Sequence, residues 1–190
     1  MPGDGLFVRG TTVDAAKRFA ERHQGSPAWD PFIDSLEPLH RTLVDEPVVR
    51  RNWYDLELYS NLLDRAARAL QPDAQEQFLS DLGRFVMDDG VNTLYRAFFL
   101  IASPSFVIKG SALLWGMFFK GSKLKVTDRG RKFVNASIVG APRCWLPLCI
   151  SIGGGMLSAL EHAGARDARV ASHRCRSRGG ERCDFELVWR

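Results

Sequence analysis

The hydrophobic period of this chain changes just after Gly121, and that change limits what it can fold into. Before it, apolar residues recur every three or four positions. After it, two segments alternate apolar and polar, with one long apolar stretch between them. A chain ordered in this way is expected to be α+β: a helical N-terminal half followed by an antiparallel sheet of two hairpins, in the order β-β-α-β-β, packed on helices.

The helical half reads in pieces. Thr11-Thr12 are placed to cap a helix through Val13, Ala16, Phe19 and Ala20 that stops at Gly25. Pro31 and Pro38 shorten or break the helix expected over 27–43. Trp53, Leu56, Tyr59, Leu62, Leu63, Ala66, Ala67 and Leu70 line one face of the clearest helix, which Pro72 closes. Asp73 to Glu76 has capping-box spacing and opens the next. Asp88-Asp89-Gly90 is expected to end that helix, which resumes over Val91–Ala102. Ser103-Pro104-Ser105 stops it and starts another, ending near Phe119.

The alternation of Leu124 and Val126 with Lys123, Lys125 and Thr127, the turn Asp128-Arg129-Gly130, and then Val134, Ala136 and Ile138 predict a hairpin over 123–139. Cys144–Ala163 reads as a buried helix. Val170–Cys175 and Arg182–Trp189 read as the second hairpin, with Cys183, Phe185, Leu187 and Trp189 on one face.

With 190 residues, 45% of them hydrophobic and 25% charged, the composition excludes a disordered chain, and one domain is expected. Four cysteines are far too few for a disulfide-stapled secreted domain. No basic-then-apolar leader opens the sequence and no apolar run is long enough to span a bilayer, so a cytoplasmic protein without a membrane span is expected. Residues 1–100 hold 11 Lys/Arg and 16 Asp/Glu, and residues 101–190 hold 15 and 6. The second half is therefore basic, above all at Lys120, Lys123, Lys125, Arg129, Arg131 and Lys132. Solvated strand edges explain these charges; an acidic protein or lipid surface is the functional alternative, and without an aromatic stacking motif nucleic acid is not the expected partner.

Cys175 and Cys183 flank a turn containing Gly179-Gly180, so a hairpin there brings their thiols together. His173 shares strand parity with Cys175, Cys149 opens the preceding helix, and Cys144 lies five residues before it. Three thiolates and an imidazole suit tetrahedral zinc; buried free thiols and a disulfide are the alternatives. Gly153-Gly154-Gly155 inside an apparent helix implies a close approach, by a neighbouring element or a ligand. Tyr95, Phe98, Phe99, Phe106, Trp115, Phe118, Phe119 and Trp145 form a dense aromatic set, either core or the wall of an apolar pocket in which Trp115 and Trp145 would offer N–H donors. No GxSxG, HExxH or P-loop occurs, so no enzyme is expected. His23 and His40 read as solvated, and His162 as a helix-end residue.

The series Gly153-Gly154-Gly155, Ala163-Gly164-Ala165, Val170, Cys175, Gly179-Gly180 and Cys183-Asp184-Phe185-Glu186-Leu187 resembles a 4-vinyl reductase domain of the haem-NO-binding/4-vinyl-reductase/TRAPP superfamily. Ser103 to Phe119 and the ending Val188-Trp189 are similar to a paralogous myxobacterial family of unknown function. The resemblance covers residues 81–190 as a core, with 1–80 as a helical extension. It implies a structural zinc on Cys149, Cys175 and Cys183, with Ser172 at the position of the usual glutamate and His173 taken as the fourth ligand ahead of Cys144. The proximal histidine and Tyr-x-Ser-x-Arg motif of haem-binding relatives are missing, so no haem is expected. The function expected is a non-enzymatic sensory module. It would take a small apolar or aromatic ligand between Tyr95, Phe98, Phe99, Trp115, Phe118, Phe119 and Trp145, and signal through a protein partner, with a homodimer left open. A TRAPP-like adaptor with a self-filled interior is the alternative, and an auxiliary factor for tetrapyrrole or hydrocarbon enzymes a third.

Overall fold

The computed structural model describes residues 5–93 and 103–190. Seven α-helices are described: α1 (Gly10–Glu21), α2 (Trp29–Asp34), α3 (Pro38–Asp45), α4 (Leu56–Leu70), α5 (Gln75–Thr93), α6 (Pro104–Phe118) and α7 (Leu146–His162). The strands are β1 (Phe7–Arg9), β2 (Trp53–Asp55), β3 (Phe119–Lys120), β4 (Lys123–Arg129), β5 (Phe133–Val139), β6 (Arg169–Arg174) and β7 (Cys183–Val188). The two predicted hairpins join in one antiparallel sheet of order β4-β5-β7-β6. The fold class is α+β, as the change of period implies.

Local chemistry explains the element ends. Asp55 caps α4 by accepting from the Leu58 N–H at 2.8 Å, and Ser103 caps α6 by accepting from Phe106. Pro31 sits in the first turn of α2 and Pro38 begins α3, so the two prolines split this segment into separate helices.

Three expectations are corrected. Thr11 and Thr12 cap nothing: α1 begins one residue before them, and both hydroxyls are buried without a partner among the described residues. Trp53–Asp55 is a strand, which joins β1 and β3 in a second, three-stranded sheet of order β2-β1-β3. Asp88-Asp89-Gly90 does not end a helix, because α5 runs through it. Asp89 is paired with Arg18 at 2.7 Å and Arg50 at 3.5 Å, and Asp88 receives hydrogen bonds from Ser158 and His162, so the carboxylates find partners on the helix itself.

The main core cluster runs from Leu6 and Val8 through Tyr59, Leu63 and Leu82 to Phe185. Burial of a side chain such as Phe185, 1% exposed, contributes roughly 1.5–3 kcal/mol. Phe185 lies with Cys183 and Leu187 on the buried face of β7, in strict alternation. Helices α5 and α7 cross at their glycines. A methyl group at Gly83 would strike the Ser151 carbonyl, and one at Gly154 the Ser80 carbonyl, so the backbones meet directly.

His40 is not solvated. It is 5% exposed, and neither ring nitrogen has a partner among the described residues. Burial, with the charge of Arg65 second, lowers its pKa from the ordinary value. The folded chain therefore takes up this proton less readily than the unfolded chain. The stability this implies is complete above the unfolded pKa of about 6.5 and is lost as pH falls below it. His40→Leu is expected to flatten the fall in melting temperature between about pH 7.5 and 5.5, by at most about 1.4 kcal/mol per pH unit. Parallel melting curves for the two proteins would remove His40 as the source. His173, also lowered by burial, accounts for part of the remaining slope.

Candidate functional site

Two arrangements stand out, a cavity and a cluster of sulfurs. The cavity has a volume of about 130 Å³ and lies among α4, α5, α6, α7 and the inner face of the sheet. Its lining is almost wholly apolar. Trp115, Phe118 and Phe119 line it. Trp145 is not: it precedes α7 and packs against the main core. Tyr95, Phe98 and Phe99 lie outside the described residues. The Trp115 N–H is directed at the Ser122 hydroxyl, 3.2 Å away, and is not spare for a ligand.

A polar lining residue that sequence reasoning missed is Thr12. Thr12 lines the cavity, is 4% exposed, and its Oγ1 has no partner among the described residues. An unpaired buried hydroxyl costs roughly 1–3 kcal/mol, which a ligand atom at hydrogen-bonding distance would recover. The glycine triplet meets neighbouring elements and the cavity. Gly153 faces Val170 and Phe185 of the sheet, Gly154 meets α5, and Gly155 lines the cavity.

The second arrangement gathers all four cysteines, with every Sγ within 4.8 Å of the others. Cys144 lies in the loop before α7 and Cys149 in the first turns of that helix. Cys175 follows β6 at the start of the 3-10 turn Arg176–Arg178, and Cys183 opens β7. Gly179, at φ +88, closes the turn and lets the two hairpin sulfurs converge. Cys149, Cys175 and Cys183 are buried, Cys144 half-buried, and all are free of disulfides.

A zinc tetrahedron with bonds of about 2.3 Å has sulfur–sulfur edges of roughly 3.8 Å. The cluster shows 3.8 Å for Cys175–Cys183, 3.7 Å for Cys149–Cys175, 3.6 Å for Cys144–Cys175 and 3.4 Å for Cys149–Cys183. Cys144 is drawn closer to Cys183, at 2.6 Å, and to Cys149, at 2.9 Å. Hydrogen bonds with Cys144 and Cys149 draw the Cys183 thiol far below its ordinary pKa, and the bond with Cys149 takes Cys175 down to about 6. Bonds with Cys144 and Cys175 push Cys149 up. The site thus holds sulfurs already disposed to lose protons beside others that keep them.

The structure does not bring His173 to this cluster. Strand β6 ends at Arg174, so the alternation that would set His173 beside Cys175 stops one residue short. His173 instead stacks on Phe185, with ring centres 4.5 Å apart and planes 11° from parallel. Cys144 completes the set. No spacing rule marks it, because it reaches the others from a loop.

No protein-family model matches the chain, and no curated protein matches it. Solved structures of one class do. An H-NOX protein from S. oneidensis in an Fe(II)NO state is 13% identical, with a TM-score of 0.71, covering 96% of this chain and 99% of that one. An Fe(II) unliganded H-NOX protein from K. algicida is 11% identical, with a TM-score of 0.68, covering 96% of each. An oxygen-binding H-NOX domain related to soluble guanylate cyclases is 9% identical, with a TM-score of 0.63, covering 96% and 95%. At these identities the likeness establishes the fold.

Two expectations are corrected by it. The matching structures are H-NOX domains and not 4-vinyl reductase or TRAPP-like proteins. The cysteine–glycine ending that carried the resemblance is a local hairpin feature, whereas the H-NOX likeness spans nearly the whole chain. The exclusion of haem also falls, because the fold is one whose solved members carry Fe(II) and for which haem distortion has been studied. The chain's four histidines all lie away from the cavity lining. The lining atoms of types that haem iron accepts are the thioethers of Met87 and Met156 and the phenol of Tyr59, so the described lining does not fit a histidine-held haem.

Proposed function

We propose that this chain is a non-enzymatic sensory module, in which a compact apolar ligand fills the cavity between helices and sheet and a partner protein receives the output. The observation that carries the reading is an apolar cavity of about 130 Å³ lined in part by Thr12, whose buried hydroxyl has no partner among the described residues. An engineered apolar cavity of roughly 150 Å³ takes benzene or xenon, so a ligand of that size, with a single polar atom for Thr12, fits. The binding of NO and of oxygen by similarly folded proteins supports the class of function.

A thermal-shift series with benzene-sized compounds tests the reading. A saturating ligand at about 100 times its Kd raises stability by about 2.7 kcal/mol, and Thr12→Val should lower affinity for polar-substituted compounds while sparing benzene itself. No shift across the series, with a melting temperature lowered by Leu114→Phe as overpacking lowers it in a filled core, would show an interior that takes no ligand. A haem-borne ligand is the second reading, favoured by the fold likeness alone. A stoichiometric Soret band in freshly purified protein would establish it.

We also read the four sulfurs as a closed, structural metal site. All four positions are filled by protein, as structural zinc requires, and the site joins the start of α7 to the β6–β7 hairpin. No helix among the described residues is long and apolar enough to cross a membrane.

A further inference from the structure

The outer edge of β4 is unpaired among the described residues. Within the sheet β4 joins only β5, and its regular pairing runs from Lys123 to Val126 before a bulge at Asp128. Beside that edge runs α6, and between them lies an open groove of about 700 Å³. One wall is Ile108, Lys109, Ser111 and Ala112 of α6; the other is every residue of β4 from Leu124 to Arg129. Successive strand residues point to opposite faces, so a wall of six in a row is the strand's edge, with its backbone donors and acceptors.

The side chains around this edge are of two kinds. Ile108, Ala112, Leu124 and Val126 are apolar, and on the same helix Leu113 stands 64% exposed. Lys109, Lys123, Lys125 and Arg129 are exposed, and no ion pair engages them among the described residues. Asp128, the acid in their midst, accepts from the Arg129 N–H at 2.7 Å. Lysines alone would read as a device that discourages edge pairing. A recessed groove with apolar walls behind the charges is what that device does not need.

We propose that the α6–β4 groove is the docking site for an acidic, extended segment of a partner protein, which adds to β4 as a fifth strand. Main-chain hydrogen bonds to the β4 edge supply affinity, as in other strand-addition complexes. Alternate apolar side chains of the segment enter between Ile108, Ala112, Leu124 and Val126, and its carboxylates meet Lys109, Lys125 and Arg129. The charge complementarity selects an acidic peptide. Nucleic acid would want aromatic rings for its bases, and the groove has none. A flat lipid surface has no use for a strand's edge. The inference goes beyond the sensory reading and does not depend on a filled cavity.

The test uses the full chain and a fluorescein-labelled eight-residue peptide alternating glutamate and valine. Anisotropy should show saturable binding that weakens with salt, and backbone amide shifts should centre on residues 108–112 and 123–129. Lys125→Glu and, separately, Lys109→Glu should each weaken binding about tenfold, since rim charges steer and orient the encounter. The same peptide N-methylated at alternate amides along one edge should lose binding, because it can no longer donate to a strand. Equal binding of methylated and unmethylated peptides would overturn the proposal in favour of charge attraction alone. No binding, or equally tight binding of phosphatidylserine vesicles or a single-stranded oligonucleotide, would overturn it as well.

Discussion

Cys149→Ser is expected to release the metal and lower the melting temperature by roughly 10 °C or more. Cys149 is fully buried and touches all three other sulfurs. Serine is a poor zinc ligand, and the binding energy of a closed site appears as folding energy, so several kcal/mol go with the metal. In a chain of this length each kcal/mol moves the melting point by about 2–4 °C. Cys144→Ser should cost less, because Cys144 is half-buried in a loop and leaves three sulfurs in place. Acidification should mimic the loss, since each ligand must be a thiolate to bind. Elemental analysis of protein never exposed to chelator checks the premise. Well under one zinc per chain, or a Cys149→Ser melt equal to the parent's, would leave four packed thiols and no metal.

Gly154→Ala is expected to be more damaging than its chemistry suggests, costing about 3 kcal/mol or more. Alanine is ordinarily the better helix former by roughly 1 kcal/mol. At this position its methyl group meets the Ser80 carbonyl, a backbone atom that cannot swing aside, and the α5–α7 crossing must open. Gly116→Ala is the control. Gly116 lies in α6 with no described residue near its missing side chain, so alanine there should stabilise by a few tenths to about 1 kcal/mol. Opposite signs for the two substitutions in thermal melts check the crossing. If Gly154→Ala is neutral, the helices have slack at this point.

Much of this fold was readable from periodicity. The stripe from Leu56 to Leu70 became the buried face of α4, and both hairpins formed where alternation placed them. Periodicity is blind to short strands, and so β1, β2 and β3, of three, three and two residues, were not legible. It is equally blind to charge partners far along the chain, such as Arg18 and Arg50, which let α5 continue past Asp88-Asp89. At the sulfur cluster, hairpin geometry disclosed Cys175 and Cys183. His173 was grouped with them because strand parity was carried one residue beyond the strand's end, whereas its ring stacks on Phe185. Thr12 could not be recognised as a cavity residue from the sequence, since a threonine near a helix start reads first as a cap.

The order of the four-stranded sheet has a bearing on how the chain comes off the ribosome. β7 lies between β5 and β6 yet follows both in the chain. The hairpin of β4 and β5 can close as soon as it emerges, but β6 has no neighbour until β7 arrives to stitch the halves together. The centre of the sheet is thus its last-made strand, and the long-range pairing it completes is the slow kind. Cys183 travels on that strand. The sulfur cluster therefore holds at most three of its four members until β7 is made, and on the reading of a metal site, capture of an ion would coincide with closure of the sheet.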